Sequence, residues 1–155
     1  MIEAKTKQNL LVWSLKKVFD KKDDRKHFKY TFLIDSNNYD SLIILFRYNP
    51  KDVKVDERLK MCLTELAIKS DCDAELLIKE NKELKNLITL SIDSPHGYLG
   101  AAHRHNNNAK IIINQLKSSQ GFLPSPITKG LWAITLSTHC ILSNKVDVKI
   151  EVYAQ

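Results

Sequence analysis

The triplet His103-Arg104-His105 holds the densest chemistry in the chain. Side chains alternate between faces along an extended strand, so His103 and His105 project together and Arg104 projects the other way. Two imidazoles at that spacing can chelate a divalent metal such as zinc. His139 closes a later strand and is the candidate third ligand; His96 sits in a turn, and Asp93 is the nearest carboxylate in sequence. Zinc needs three or four such ligands, with ordered partners behind them. The competing reading needs no cofactor: the histidines hydrogen-bond across a half-polar sheet face. Arg104 either pairs with a carboxylate on its own face or binds an anionic ligand. With His96 and Tyr98 it makes up the candidate ligand-binding set.

Nucleophilic catalysis finds little here. Ser94 lies in Asp93-Ser94-Pro95-His96, but the Gly-x-Ser-x-Gly elbow is absent. Cys140 follows His139 directly, and strand neighbours face opposite ways, which forbids a Cys–His dyad. Cys140 reads instead as a small core residue. Neither a P-loop nor a dinucleotide fingerprint is present. No catalytic residue is assigned, which weighs against an enzyme. Trp132 and Phe122 could form an aromatic platform for a sugar or a base, although a tryptophan at a strand entry is more commonly core.

The elements that must position these groups are mostly strands. Phe28, Tyr30, Phe32 and Ile34 alternate with polar residues and give a strand with one buried face. Residues 41–48 are almost wholly apolar and suit a central strand covered on both faces. Residues 146–153 alternate most cleanly, with the valines and Ile150 toward a core and Asp147, Lys149 and Glu151 toward water. Further strands are expected at 10–18, 87–93, 98–105, 110–115 and 132–139. One helical period interrupts them. Leu59, Cys62, Leu63, Leu66 and Ala67 follow an amphipathic stripe, Asp56 can cap its first turn, and a shorter helix runs over 73–83 with Leu76 and Leu77 facing in. The run from Gly121 through Pro124 and Pro126 to Gly130 is a rigid, turn-rich connector that passes the chain from one sheet to the other. The fold class is therefore mainly β: one antiparallel β-sandwich or jelly roll over 1–155, with a two-helix excursion at about 56–83.

Composition bounds the rest. The 155 residues suffice for one domain with a real core. Apolar runs such as that at 41–46 fall short of the roughly 20 residues a membrane helix needs, and the polar amino terminus lacks the apolar stretch of a secretory signal. A cytoplasmic location is expected. Three cysteines, Cys62, Cys72 and Cys140, with no Cys-x-x-Cys pair, read as free and mostly buried thiols. The net charge of +6 admits a nucleic-acid partner. The lysines, however, are spread over the whole chain, and the densest basic run, at 16–26, is broken by aspartates and reads as a solvated hairpin.

The carboxy-terminal half carries a resemblance. Gly97, Tyr98, Gly100, Ala101 and Arg104, then Gly121, Phe122, Leu123, Pro124, Pro126 and Ile127, then Gly130 and Trp132 follow a recurring order. The segment resembles the β-sandwich module found ahead of the catalytic domain in some metallophosphoesterases of the polymerase and histidinol phosphatase superfamily. The chain stops at Gln155, where that catalytic domain would begin, so its metal-binding motifs have no counterpart. The resemblance implies a stand-alone accessory sandwich working in trans with a phosphoesterase. The function expected is a non-catalytic binding module whose partner is another protein, a small ligand or a second copy of the chain. The alternatives are a zinc-binding protein or metal-dependent hydrolase built on His103, His105 and His139, and, third, a basic nucleic-acid binder.

Overall fold

Period-two alternation along short β-branched and aromatic runs builds two layers. The computed structural model describes residues 9–102 and 106–155. The first sheet orders β1 (Leu10–Phe19), β10 (Val146–Ala154), β3 (Ser41–Asn49) and β8 (Asn108–Asn114). The second orders β2 (Lys26–Ile34), β9 (Gly130–Cys140), β6 (Leu87–Ser94) and β7 (Gly97–Ala102). All neighbours in both sheets are antiparallel. With the short strands β4 (Asp52–Lys54) and β5 (Glu83–Lys85) set aside, the first strand pairs with the last, the second with the next to last, and so inward. That nesting is an eight-stranded jelly roll.

The core lies between the sheets. Val146, Val148, Ile150, Val152 and Ala154 of β10 meet Ile134, Leu136 and Trp132 of β9 in one buried cluster with Leu42, Ile44, Phe46 and Tyr48 of β3. The expectation that β3 is covered on both faces holds only for its first half. Ile43 is buried on the outer side, Leu45 is half-buried and Arg47 is exposed, because the sheet's outer face opens to water toward that end.

Only the β6–β7 connection, through Pro95 and His96, is a hairpin; each of the other six links among the eight strands changes sheet. The basic run at 16–26 is therefore a corner and no hairpin. Asp20 caps a single 3-10 turn (Lys21–Asp23). Asp24 Oδ1 then accepts from the Ile141 amide at 2.7 Å and the Arg25 amide donates to Thr138 O at 2.7 Å, so this corner is tied to the end of β9. Long-range pairing decided this, since β1 bonds to β10 and β2 to β9.

The connector at 115–129 links β8 in the first sheet to β9 in the second. It also seals one side of the sandwich. The Ser119 amide bonds to Ile112 O of β8 at 2.8 Å; a few residues on, the Leu123 amide bonds to Leu99 O at 2.7 Å and the Ala101 amide to Gly121 O at 3.1 Å on β7. Both exposed sheet edges on that side thus gain partners, which removes a site for edge-to-edge aggregation. Phe122 and Ile127 are buried, as is Trp132, whose Nε1 donates to Thr128 O at 2.9 Å. The core reading of Trp132 holds, and with Phe122 buried as well the two rings offer no exposed aromatic platform. On the opposite side Trp13 stacks on Phe32 with ring centres 5.4 Å apart and leans on Tyr30 at 6.3 Å.

The helices stand outside the main core. Asp56 caps α1 (Glu57–Lys69) by accepting from the Leu59 amide at 2.9 Å, and Asp73 caps α2 (Ala74–Glu80). Of the apolar stripe on α1 only Leu59 and Ala67 are buried, while Leu66 and Cys62 are exposed, and Leu76 of α2 is exposed as well. The two helices pack on each other and contribute nothing to the apolar cluster between the sheets. Hence Cys62 and Cys72 are exposed free thiols, against the expectation of burial, and Cys140 is half-buried. No helix among the described residues is long and apolar enough to cross a membrane.

One buried side chain anchors this excursion. β4 and β5 pair at its base, a ladder too short to show as alternation in sequence. Beside it, Asn86 donates to Pro50 O at 2.9 Å and Ser143 Oγ at 2.8 Å, and its Oδ1 accepts from the Leu142 and Ser143 amides at 2.8 and 3.3 Å. Its own carbonyl takes the buried Tyr48 hydroxyl at 3.2 Å. Asn86→Ala strips both loops of these partners and leaves polar groups unsatisfied in a dry site. The expected loss is about 3 kcal/mol in urea unfolding. A loss below about 0.5 kcal/mol, the size of an ordinary surface change, would mean that the asparagine is not the anchor.

Candidate functional site

The described residues among those selected from the sequence, His96, Tyr98 and His139, do not come together. His96 lies in the β6–β7 hairpin, with Nε2 3.3 Å from Thr128 Oγ1, and Tyr98 is exposed two residues later on the outer face of the second sheet. His139 is near the far end of β9, where its Nε2 sits 2.8 Å from Thr89 Oγ1. The hairpin is at the Gly130 end of that strand, since Pro95 lies against Gly130. At about 3.3 Å per residue, His139 and His96 are therefore separated by most of the sheet's length. Asp93 is also at the hairpin end, and Lys29 holds it at 2.9 Å. His103, Arg104 and His105 lie outside the described residues, so the metal set and the arginine have no geometry to report. Among the described residues no group of three or more histidines, cysteines and carboxylates is placed to hold a metal.

A third histidine contact was missed by sequence reasoning. His27 Nδ1 is 2.8 Å from Ser137 Oγ, across the β2–β9 pair. That is the separation of a nucleophile and its base. No hydrogen bond orients the second ring nitrogen of His27 among the described residues, and the pair stands on an exposed sheet face away from the larger cavities. Reaction geometry needs a third orienting group and a place for substrate, so the contact is a cross-strand hydrogen bond. Only knowledge of the register reveals it, because 110 residues separate the partners. His139 is exposed and bonds to Thr89, while Cys140 is half-buried; burial raises the Cys140 thiol above its ordinary value, and Asp24 adds to the effect.

Concavities lie elsewhere, among them one of about 640 Å³ lined by Asn37, Tyr39, Ser41, Asn114 and Thr128, and a cationic one on the first sheet. A groove of about 450 Å³ crosses the end of the first sheet, lined by Lys16, Lys17 and Val18 of β1, Asp147 and Lys149 of β10, Arg47 and Asn49 of β3, and Asn107 and Asn108 at the start of β8. Register puts three cations side by side: Lys16 is the Cα partner of Lys149, and Lys149 is the partner of Arg47, which pairs in turn with Asn108. Like charges at facing positions of neighbouring strands destabilise a sheet. Glu151, one row along, offsets part of the charge. Lys149 Nζ bonds its Oε1 at 2.7 Å and holds the carboxyl below its ordinary range, with the Arg47 guanidinium and the Tyr153 hydroxyl adding to the pull against burial. Among the described residues, neither Lys16 nor Arg47 has a carboxylate within 4.0 Å. The floor is well fixed: Asn107 Nδ2 donates to Tyr48 O at 3.0 Å and the Tyr48 amide donates back to Asn107 O at 2.9 Å.

None of these groove residues stands out in sequence, where they are scattered over four strands. The arrangement supplies permanent positive charge and neutral amides, with Asp147 as the one carboxylate among the described lining residues. No imidazole, thiol or aliphatic hydroxyl belongs to its described lining. A scan of protein-family models found no match for the chain, and a search of curated proteins found none either.

Proposed function

We propose that this protein is a non-catalytic jelly-roll binding module that acts as an accessory to another protein's chemistry. The observation that carries the reading is the groove on the first sheet, whose described lining offers cations and amides for holding a ligand and no acid–base pair for transforming one. The described catalytic candidates support it from the other side: Ser137 and His27 satisfy each other on an open face, and His139 bonds to Thr89. The order of residues from Gly97 to Trp132 supports an accessory role beside a phosphoesterase, by its resemblance to the sandwich modules that precede such catalytic domains.

The test is turnover and metal content of the purified chain. Phosphate monoesters and diesters incubated with it should show no hydrolysis above background, with or without added zinc. Elemental analysis should find less than one metal ion per several chains. Stoichiometric zinc that disappears in a His103→Ala/His105→Ala variant, or hydrolysis that the same variant abolishes, would overturn the reading in favour of a metal-dependent hydrolase.

A further inference from the structure

We infer that the groove on the first sheet is a binding site for a small, multiply charged phosphate ligand such as a pyrophosphate-bearing molecule. The inference rests on the binding-module reading and names its ligand class.

Three features point to it together. First, Lys16, Lys149 and Arg47 occupy one cross-strand row, a placement that costs stability unless something neutralises it. Glu151 bonds Lys149 directly and draws on Arg47 only through space, and one carboxylate cannot neutralise three cations, so the row keeps a net positive charge for a guest. Second, Arg47 brings a planar guanidinium, whose fork matches two oxygens of one phosphate, while Lys16 brings a flexible point charge at the rim. Third, about 450 Å³ falls in the size range of small-molecule sites. A monocarboxylate would answer only one of the convergent cations, whereas a diphosphate answers several. Asp147 stands at the β1–β10–β3 end of the lining and repels an anion there, which places the phosphates toward Arg47 and Asn108. Nucleic acid fits less well. It needs a basic track longer than the groove, and the remaining lysines are distributed over both sheets and the helices.

The experiment titrates the full chain with sodium pyrophosphate at fixed ionic strength by calorimetry. Saturable binding of one pyrophosphate per chain is expected, and Arg47→Gln and Lys16→Thr should each weaken it by at least about tenfold. Lys69→Gln, an exposed residue of the helical excursion outside the groove lining, removes the same charge and should leave affinity within about twofold. Thermal unfolding gives a readout independent of ligand. Because the row is self-repelling, Lys16→Thr should melt higher than the parent protein without ligand, and should lose the upward shift that pyrophosphate gives the parent. No saturable heat, equal weakening by Lys69→Gln and Arg47→Gln, or a lower melting point for Lys16→Thr would each overturn the inference. So would tighter binding of a DNA duplex than of pyrophosphate. Failure on these counts leaves the binding-module reading intact, since turnover and metal content decide that one.

Discussion

Gly100→Ala is expected to cost about 3 kcal/mol or more of folding stability, the sum of backbone strain and overpacking. Gly100 has φ near +140°, a conformation that side chains disfavour, and a Cβ there would run into the Gly121 carbonyl and come within 2.8 Å of Phe122 Cα. Neither obstacle is a flexible side chain that can swing away. The backbones approach this closely because the connector bonds to the edge of β7 on both sides of Gly100, through the Ala101 amide and the Leu99 carbonyl. Gly121 mirrors the arrangement: its φ is +92° and its added Cβ would sit 2.6 Å from Ala101 O. Since the two glycines serve one contact, Gly100→Ala and Gly121→Ala together should cost less than the sum of the two single changes. Gly97 is the internal control. Its φ is +136° but no atom lies within 4 Å of an added Cβ, so Gly97→Ala should cost only the strain, about 1 kcal/mol. Urea unfolding of the three variants measures this. Equal losses at Gly97 and Gly100 would show that close approach of the connector is not what selects glycine at Gly100.

Trp132→Ala should cost about 3–5 kcal/mol, enough to unfold a domain of ordinary stability at ambient temperature. The indole is fully buried near the start of β9 and its Nε1 donates to Thr128 O, so it fills the core and also fixes the end of the connector. Trp132→Phe keeps most of the apolar volume and loses the hydrogen bond; it should cost about 1–2 kcal/mol. Circular dichroism is the suitable probe, because removing one of two tryptophans alters the fluorescence signal itself. A loss under about 1 kcal/mol for Trp132→Ala would be incompatible with a core role for so large a buried ring.

These two predictions concern segments whose importance was legible in the chain. The Gly/Pro connector announces itself by composition, and the expectation that it carries the chain between sheets is met. The alternation of β10 and of β2 gave their buried faces directly, and Asp56 marked the start of α1. Elsewhere local signals misled. The stripe on α1 is a true helical period, yet most of it finds no core to enter, because the excursion stands off the sandwich on the β4–β5 ladder and on Asn86. Cys62 and Leu66 are exposed for that reason. His96 and His139 look combinable in a list of histidines, but they belong to opposite ends of the second sheet.

Composition and side-chain period by themselves determined a layered β protein, which faces of its strands are apolar, and where its sharp corners fall. These are local properties, set within a few residues by sterics and by the need to hide alternate side chains from water. Tertiary structure alone decided that β1 and β3 flank β10, and so set Lys149 between Lys16 and Arg47, each more than a hundred residues before it. Cross-strand register is a long-range choice made when the two sheets close on their shared core. A row of charges assembled by that closure leaves no trace in the spacing of the residues that form it.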